Sequence, residues 1–208
     1  MTNIPVRPVD TRPWSRALTK ILAFAEQHEA SIVGVTGDRP GAGSSLLCRA
    51  LAEVLVGFGK PTLLVDASRM DIPQESARPG GAERSRIDLL ALAKPHSSGA
   101  MSVDLAEFQA NIISYPEVLR EAFKAAAAGG TMVLVDLPPV QPVPGARLRC
   151  LAAVGSACQL VMLVCLAGEI TKGELGECVD LCRINDVPIG GIVANDWKLS
   201  VGRFMEGA

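Results

Sequence analysis

The apolar run Ser31-Ile-Val-Gly-Val-Thr36 leads directly into a glycine-rich stretch, Gly37-Asp-Arg-Pro-Gly-Ala-Gly-Ser-Ser45. Leu47, Leu51, Val54 and Leu55 then recur at helical spacing until Gly57 and Gly59. This order reads as a buried strand, a tight turn and a helix. The alternation continues down the chain. Thr62–Asp66, Thr131–Asp136, Leu160–Cys165 and Ile189–Asn195 are short apolar runs, and helical segments are expected over 116–128, 146–153 and 172–184, the first closed by Gly129-Gly130. The strands are continuous apolar runs rather than alternating ones, which is the pattern of a parallel sheet covered on both faces. The expected fold is therefore α/β, a mostly parallel sheet flanked by helices on both faces. Ligands on such sheets bind beyond the carboxyl ends of the strands, where Thr36, Asp66 and Asp136 stand.

A length of 208 residues suits one domain with a real core. We expect a helical segment over 1–30, where Trp14, Leu18, Ile21 and Ala25 share a helical face, a core over 31–196, and a tail over 197–208. Residues 70–100 are rich in Pro, Gly and Ser and read as a variable loop with one short helix over 87–93. Hydrophobic residues make up 49% and charged residues 20%, which favours a globular chain over a disordered one. The net charge of −2 gives no reason to expect nucleic acid as a partner. No apolar stretch approaches the roughly 20 residues of a membrane span, and residues 1–13 lack the apolar centre of a secretion signal, so the cytoplasm is the expected location. Six cysteines include no Cys-x-x-Cys pair; Cys178 and Cys182 share a helix face with Leu175 and Val179 and are expected in the core. In the tail, Trp197, Leu199, Val201, Phe204 and Met205 stand beside Lys198 and Arg203. Packing on the body is the expected role, with a short interfacial segment as the alternative.

A strand, a glycine turn and a helix start together can hold phosphate. The turn's N–H groups point inward, and the helix start adds partial positive charge. The consensus for such a loop is G-x-x-x-x-G-K-[ST]. Here Asp38 fills the first glycine position and Ser44 the lysine position. Gly41, Ala42, Gly43, Ser44, Ser45 and Leu46 are the expected nucleotide-binding residues. Gly41 and Gly43 would let the backbone approach the phosphates, and Ser45 stands where a hydroxyl binds Mg²⁺. The same loop also fits a tight turn without a ligand. Asp66 and Asp136 each close an apolar strand and are expected to join Ser45 around one Mg²⁺ and to carry any catalysis, although a strand-terminal aspartate also serves as a cap or turn former.

Three stretches together resemble the Walker A, A′ and B motifs of bacterial tyrosine kinases: Val35-Thr-Gly-Asp-Arg-Pro-Gly-Ala-Gly-Ser-Ser45, Leu63-Leu-Val-Asp66 and Val133-Leu-Val-Asp-Leu-Pro-Pro139. Those kinases fall within the MinD/ParA class of deviant P-loop ATPases. Leu163–Thr171 and Ile192-Val-Ala-Asn195 also fit, so the resemblance runs from about Ser31 to Asp196. It implies ATP or ADP with Mg²⁺ as cofactors and an adenine contact for Asn195. Several departures stand beside the matches. Ser44 replaces the lysine that neutralises the outer phosphates, and Ser68 stands where the A′ motif has a second aspartate, although Arg69 fits. The sole tyrosine is Tyr115, whereas the kinases carry a C-terminal tyrosine cluster, and the N-terminal assembly motif is at best vestigial, around Arg16. Arg39 falls at the position of the signature lysine used across MinD/ParA sandwich dimers; its ordinary reading is a loop arginine paired with Asp38.

The resemblance implies a degenerate P-loop ATPase or pseudokinase. Such a chain would act as a regulatory or scaffolding subunit in exopolysaccharide or capsule biosynthesis and export. It implies docking on a membrane adaptor of the polysaccharide chain-length-determinant type, recruitment to the inner face of the cell membrane, and homo-oligomer formation. The alternatives are an active Mg-ATP-dependent kinase or ATPase using Arg39 in place of the lysine, and a MinD/ParA-type positioning or cellulose-secretion accessory ATPase.

Overall fold

The computed structural model describes residues 15–70, 87–107, 116–141 and 145–196. The amphipathic segment before His28 is helix α1, Ser15–Gln27, with Leu18, Ile21 and Ala25 buried. Trp14 lies outside the described residues. The first apolar run is β1, Ile32–Gly37, buried along its whole length. The glycine turn then starts α2, Ser44–Gly57. Strand β2 is Thr62–Asp66.

The short helix expected over 87–93 is present, and two short strands that were not expected follow it. A four-residue helix α3, Leu89–Leu92, is followed by β3, Lys94–Pro95, and β4, Met101–Asp104, and then by a single 3₁₀ turn, Leu105–Glu107. Strand β4 adds to the sheet beside β2, yet only Val103 of its four residues is buried, so its apolar signal is too short to read.

Three helices and three strands complete the expected series. They are α4, Pro116–Ala127, and β5, Met132–Asp136; then α5, Gly145–Gly155, and β6, Leu160–Leu166. Last come α6, Lys172–Ile184, and β7, Ile189–Asn195.

The seven strands form one sheet in the order β3-β4-β2-β5-β1-β6-β7. All pairings are parallel except β3 with β4. One face carries α1 and α2, whose Leu18, Ile21, Leu47, Leu51 and Leu55 pack on Val33, Val35, Leu64 and Leu134. The other carries α4, α5 and α6, with Leu119, Phe123, Leu151, Val154, Cys178 and Cys182 against Ile32, Leu63, Val133 and Val161. Successive residues of one strand thus feed two cores, which is why these strands are apolar throughout. Cys178 and Cys182 are core residues, as their helical spacing predicts. No described helix is long and apolar enough to cross a membrane.

Candidate functional site

Parallel pairing brings the carboxyl ends of β2, β5 and β1 side by side. Asp66 is the register partner of Asp136, and Asp136 is in turn the partner of Val35, one residue before Thr36. The two aspartates that close separate apolar runs in the sequence are therefore neighbours, beside the loop that leaves β1. Asp104, at the end of β4, is the register partner of Asp66 on its other side. It extends the row, but it is exposed, and its carboxylate accepts from the Ala106 amide at 2.8 Å.

The loop between β1 and α2 is held from below. Asp38 N–H donates to the Val164 carbonyl, and the carbonyls of Gly37 and Asp38 accept from Val140 and Gln141, each at 2.8 Å. Thr36 Oγ1 donates to the Pro138 carbonyl at 2.7 Å. The segment after Asp136 is thus clamped to the glycine loop. Asn195, for which the resemblance implies an adenine contact, donates from Nδ2 to the Ala42 carbonyl at 2.8 Å and pins the loop from β7.

Within the loop, Gly41 and Gly43 have φ of 83° and 99°, a left-handed region that a side chain rarely adopts. Gly43 is the N-cap of α2, and no side chain caps that end. The N–H groups of the first helical turn are therefore left for a ligand or water.

The charges divide into two groups. Asp38, 1% exposed, accepts from Arg39 Nε at 2.7 Å through Oδ2, while its Oδ1 is buried without a partner. Arg39 Nη2 stands 3.9 Å from Glu174, which closes a capping box with Thr171 at the start of α6. The pairing with Asp38 given as the ordinary reading of Arg39 is present, and a second carboxylate flanks it.

On the other side, Ser68 donates both its N–H and its hydroxyl to Asp66 Oδ1, at 2.9 and 2.7 Å. Burial pushes the Asp136 carboxyl up to about 7; a hydrogen bond from Ser45 pulls it back, and the neighbouring Asp66 adds to the rise. Asp136 Oδ1 is buried without a partner. A buried orphaned carboxylate oxygen, a serine hydroxyl and a second carboxylate form a donor set suited to a hard cation such as Mg²⁺.

The structure thus brings Gly41, Ala42, Gly43, Ser44, Ser45 and Leu46 together with Asp66, Asp136 and Asn195 at one end of the sheet. Arg39 sits at the α6 side of the same loop. Sequence reasoning passed over Arg49, one helical turn beyond Ser45, whose Nε donates to the Ser45 carbonyl at 3.2 Å. It also passed over Glu174, although the Thr171-x-x-Glu174 pattern is a legible capping box. Tyr115 and the tail from Trp197 lie outside the described residues.

No protein-family profile matches the chain. It is 28% identical over 192 residues to EpsB of Ralstonia solanacearum, a protein assigned as a tyrosine-protein kinase, covering 86% of this chain and 25% of EpsB. The chain is similar in sequence to bacterial tyrosine kinases. It spans about a quarter of the length of the curated relatives it matches. Among solved structures, the kinase domain of the Escherichia coli tyrosine kinase ETK superposes with a TM-score of 0.66 at 23% identity, covering 94% of this chain and 81% of that one. The cell division ATPase MinD of Pyrococcus furiosus superposes with a TM-score of 0.55 at 14% identity, covering 80% and 73%. The chain therefore has the P-loop NTPase fold, the α/β architecture expected from the alternating elements and the P-loop class implied by the resemblance.

Proposed function

We propose that the chain is a single P-loop domain, residues 1–208, that keeps a cradle for a nucleotide but lacks most of the charge needed to turn it over. On this reading it acts as a regulatory or scaffolding subunit in bacterial exopolysaccharide or capsule biosynthesis and export. The observation that carries it is the contrast within one site. Backbone and carboxylates are in place, at Gly41, Gly43, Asp66 and Asp136, while serines fill positions 44 and 68 where active relatives use a lysine and an aspartate. Residues 41–46 would hold the phosphates of ATP or ADP, and Ser45, Asp66 and Asp136 would hold Mg²⁺, which when bound neutralises phosphate charge. Losing one donor to developing charge typically costs about 10²–10³ in rate, so the loss of two charged groups leaves slow turnover at most. Regulation would run through a membrane adaptor of the chain-length-determinant type, which recruits the chain to the inner face of the cell membrane, and through self-association.

An active enzyme using Arg39 in place of the lysine is less well supported, because Asp38 and Glu174 both stand against that guanidinium. Calorimetric titration with ATP, with and without Mg²⁺, tests the nucleotide reading. Binding should require Mg²⁺ and should be lost in Asp136→Asn. Equal affinity without the metal, or brisk hydrolysis by the wild type, would reject it.

A further inference from the structure

A loop that closes on phosphates needs a cation nearby, and this one is surrounded by acids. Asp38, Asp66 and Asp136 stand at the loop and the adjacent strand ends, while positions 44 and 68 are serines. Three arginines lie close enough to be candidates. Arg39 is held between Asp38 and Glu174, so its charge is already answered. Arg69 is exposed and follows β2. Arg49 differs from both in its placement.

Arg49 follows Ser45 by four residues, so the two share one face of α2. Helical side chains lean toward the helix N-terminus, which here is the glycine loop. The bond from Nε to the Ser45 carbonyl, at 3.2 Å, fixes that lean and lays the side chain back along the first turn. Only Nε is used. The guanidinium makes no ion pair among the described residues, so its terminal N–H groups remain available for a polyanion. The residue is exposed, so the group reaches the site from the solvent side. Burial is the main influence on both Asp136, which it raises, and His96 in the turn between β3 and β4, which it lowers; the Arg49 charge lowers each to a smaller extent, and Arg69 acts on Asp136 in the same direction. The guanidinium is thus electrostatically close to the carboxylate end of the site.

We propose that Arg49 supplies the positive charge of this phosphate site, in the role a P-loop lysine holds elsewhere. The inference rests on the nucleotide reading given above. It assigns the work to a residue outside the consensus loop, one that a scan for a lysine at position 44 overlooks. A guanidinium suits the task, because its planar fork can meet two phosphate oxygens at once.

The test is titration of the full chain with ATP and with ADP in Mg²⁺, for wild type, Arg49→Ala, Arg49→Lys and the double change Arg49→Ala with Ser44→Lys. Arg49→Ala should weaken ATP binding by ~10-fold or more and ADP binding by less, because a charge serving the outer phosphates matters most when all are present. Arg49→Lys should keep part of the affinity, and Ser44→Lys should restore binding to the alanine variant. The melting temperature of ligand-free Arg49→Ala should match wild type, since an exposed side chain on one carbonyl holds little of the fold. If Arg49→Ala binds ATP as wild type does, or if Arg39→Ala is the change that removes binding, the proposal is overturned while the nucleotide reading stands. If wild type binds neither nucleotide in Mg²⁺, the reading falls and the proposal with it.

Discussion

Position 44 sets how strongly this loop can hold a polyanion. Gly41 and Gly43 already have the left-handed backbone the cradle needs, and α2 begins immediately after them, so a lysine at 44 would enter a formed loop. Ser44→Lys should tighten ATP binding by ~1–3 kcal/mol after screening and desolvation are discounted. Turnover should recover less, because Ser68 supplies no carboxylate. Calorimetry on the wild type and the variant decides this, and undetectable binding in both would mean that the loop is no phosphate site. Asp136 carries a second residue-scale consequence. Burial raises its carboxyl to about 7 from an ordinary value of 3.8. The folded state therefore holds a proton there that the unfolded chain has released, and stability is fully present below pH 4 and lost as pH rises through 7. In metal-free buffer, Asp136→Asn should remove this fall and gain on wild type between pH 5 and pH 8, by on the order of a few kcal/mol. Urea titrations at the two pH values measure it, and a pH-independent difference would show that Asp136 is not a buried acid.

At the scale of elements, α6 shows how a local signal serves a distant site. Its capping box ties the Thr171 hydroxyl to the Glu174 N–H at 3.2 Å and the Glu174 carboxylate to the Thr171 N–H at 2.8 Å. The same carboxylate faces Arg39 of the glycine loop. Thr171→Ala should cost about 1 kcal/mol of stability, as N-cap losses do. Chemical denaturation checks it, and an unchanged midpoint would mean that the helix start is held by other contacts. The box was open to inspection in the sequence, because it needs only Thr171 and Glu174 at the right spacing. Strand β4 was not. Its four residues gain their place from β2, which supplies the ladder along Leu63–Asp66. A segment that short carries too little apolar periodicity to announce itself.

For the whole molecule, the relation to tyrosine kinases raises the question of phosphorylation. The chain has a single tyrosine, Tyr115, so intact mass after incubation with Mg-ATP can report at most one phosphotyrosine. With serines at 44 and 68, the purified protein should stay unmodified on that residue. A stoichiometric phosphate there would overturn the regulatory reading in favour of an active kinase. The two faces of the sheet also divide the architecture usefully. Helices α1 and α2 cover one face and α4, α5 and α6 the other, so the glycine loop emerges between two packed cores. Ligand-dependent change at that loop is therefore best sought at the carboxyl edge of the sheet, where Arg39 links the loop to α6 and Asn195 links it to β7.

The sequence alone determined the class of fold and the place of the candidate site. Both are written locally: uninterrupted apolar runs mark strands buried on two faces, and Gly41 and Gly43 mark backbone that only glycine adopts without strain. Thr62–Asp66 could be bounded to the residue for the same reason, and the bounds of Lys172–Ile184 and Ile189–Asn195 were also legible in the sequence. Tertiary structure decided what depends on neighbours distant in the chain. Strand order set Asp66 beside Asp136 and added Asp104 to the row. Packing of α6 against the loop gave Arg39 its second carboxylate. The Arg49–Ser45 contact is local to α2, whereas no local pattern encodes the strand order or the meeting of Arg39 with Glu174, because those are fixed by which surfaces two separate cores bury together.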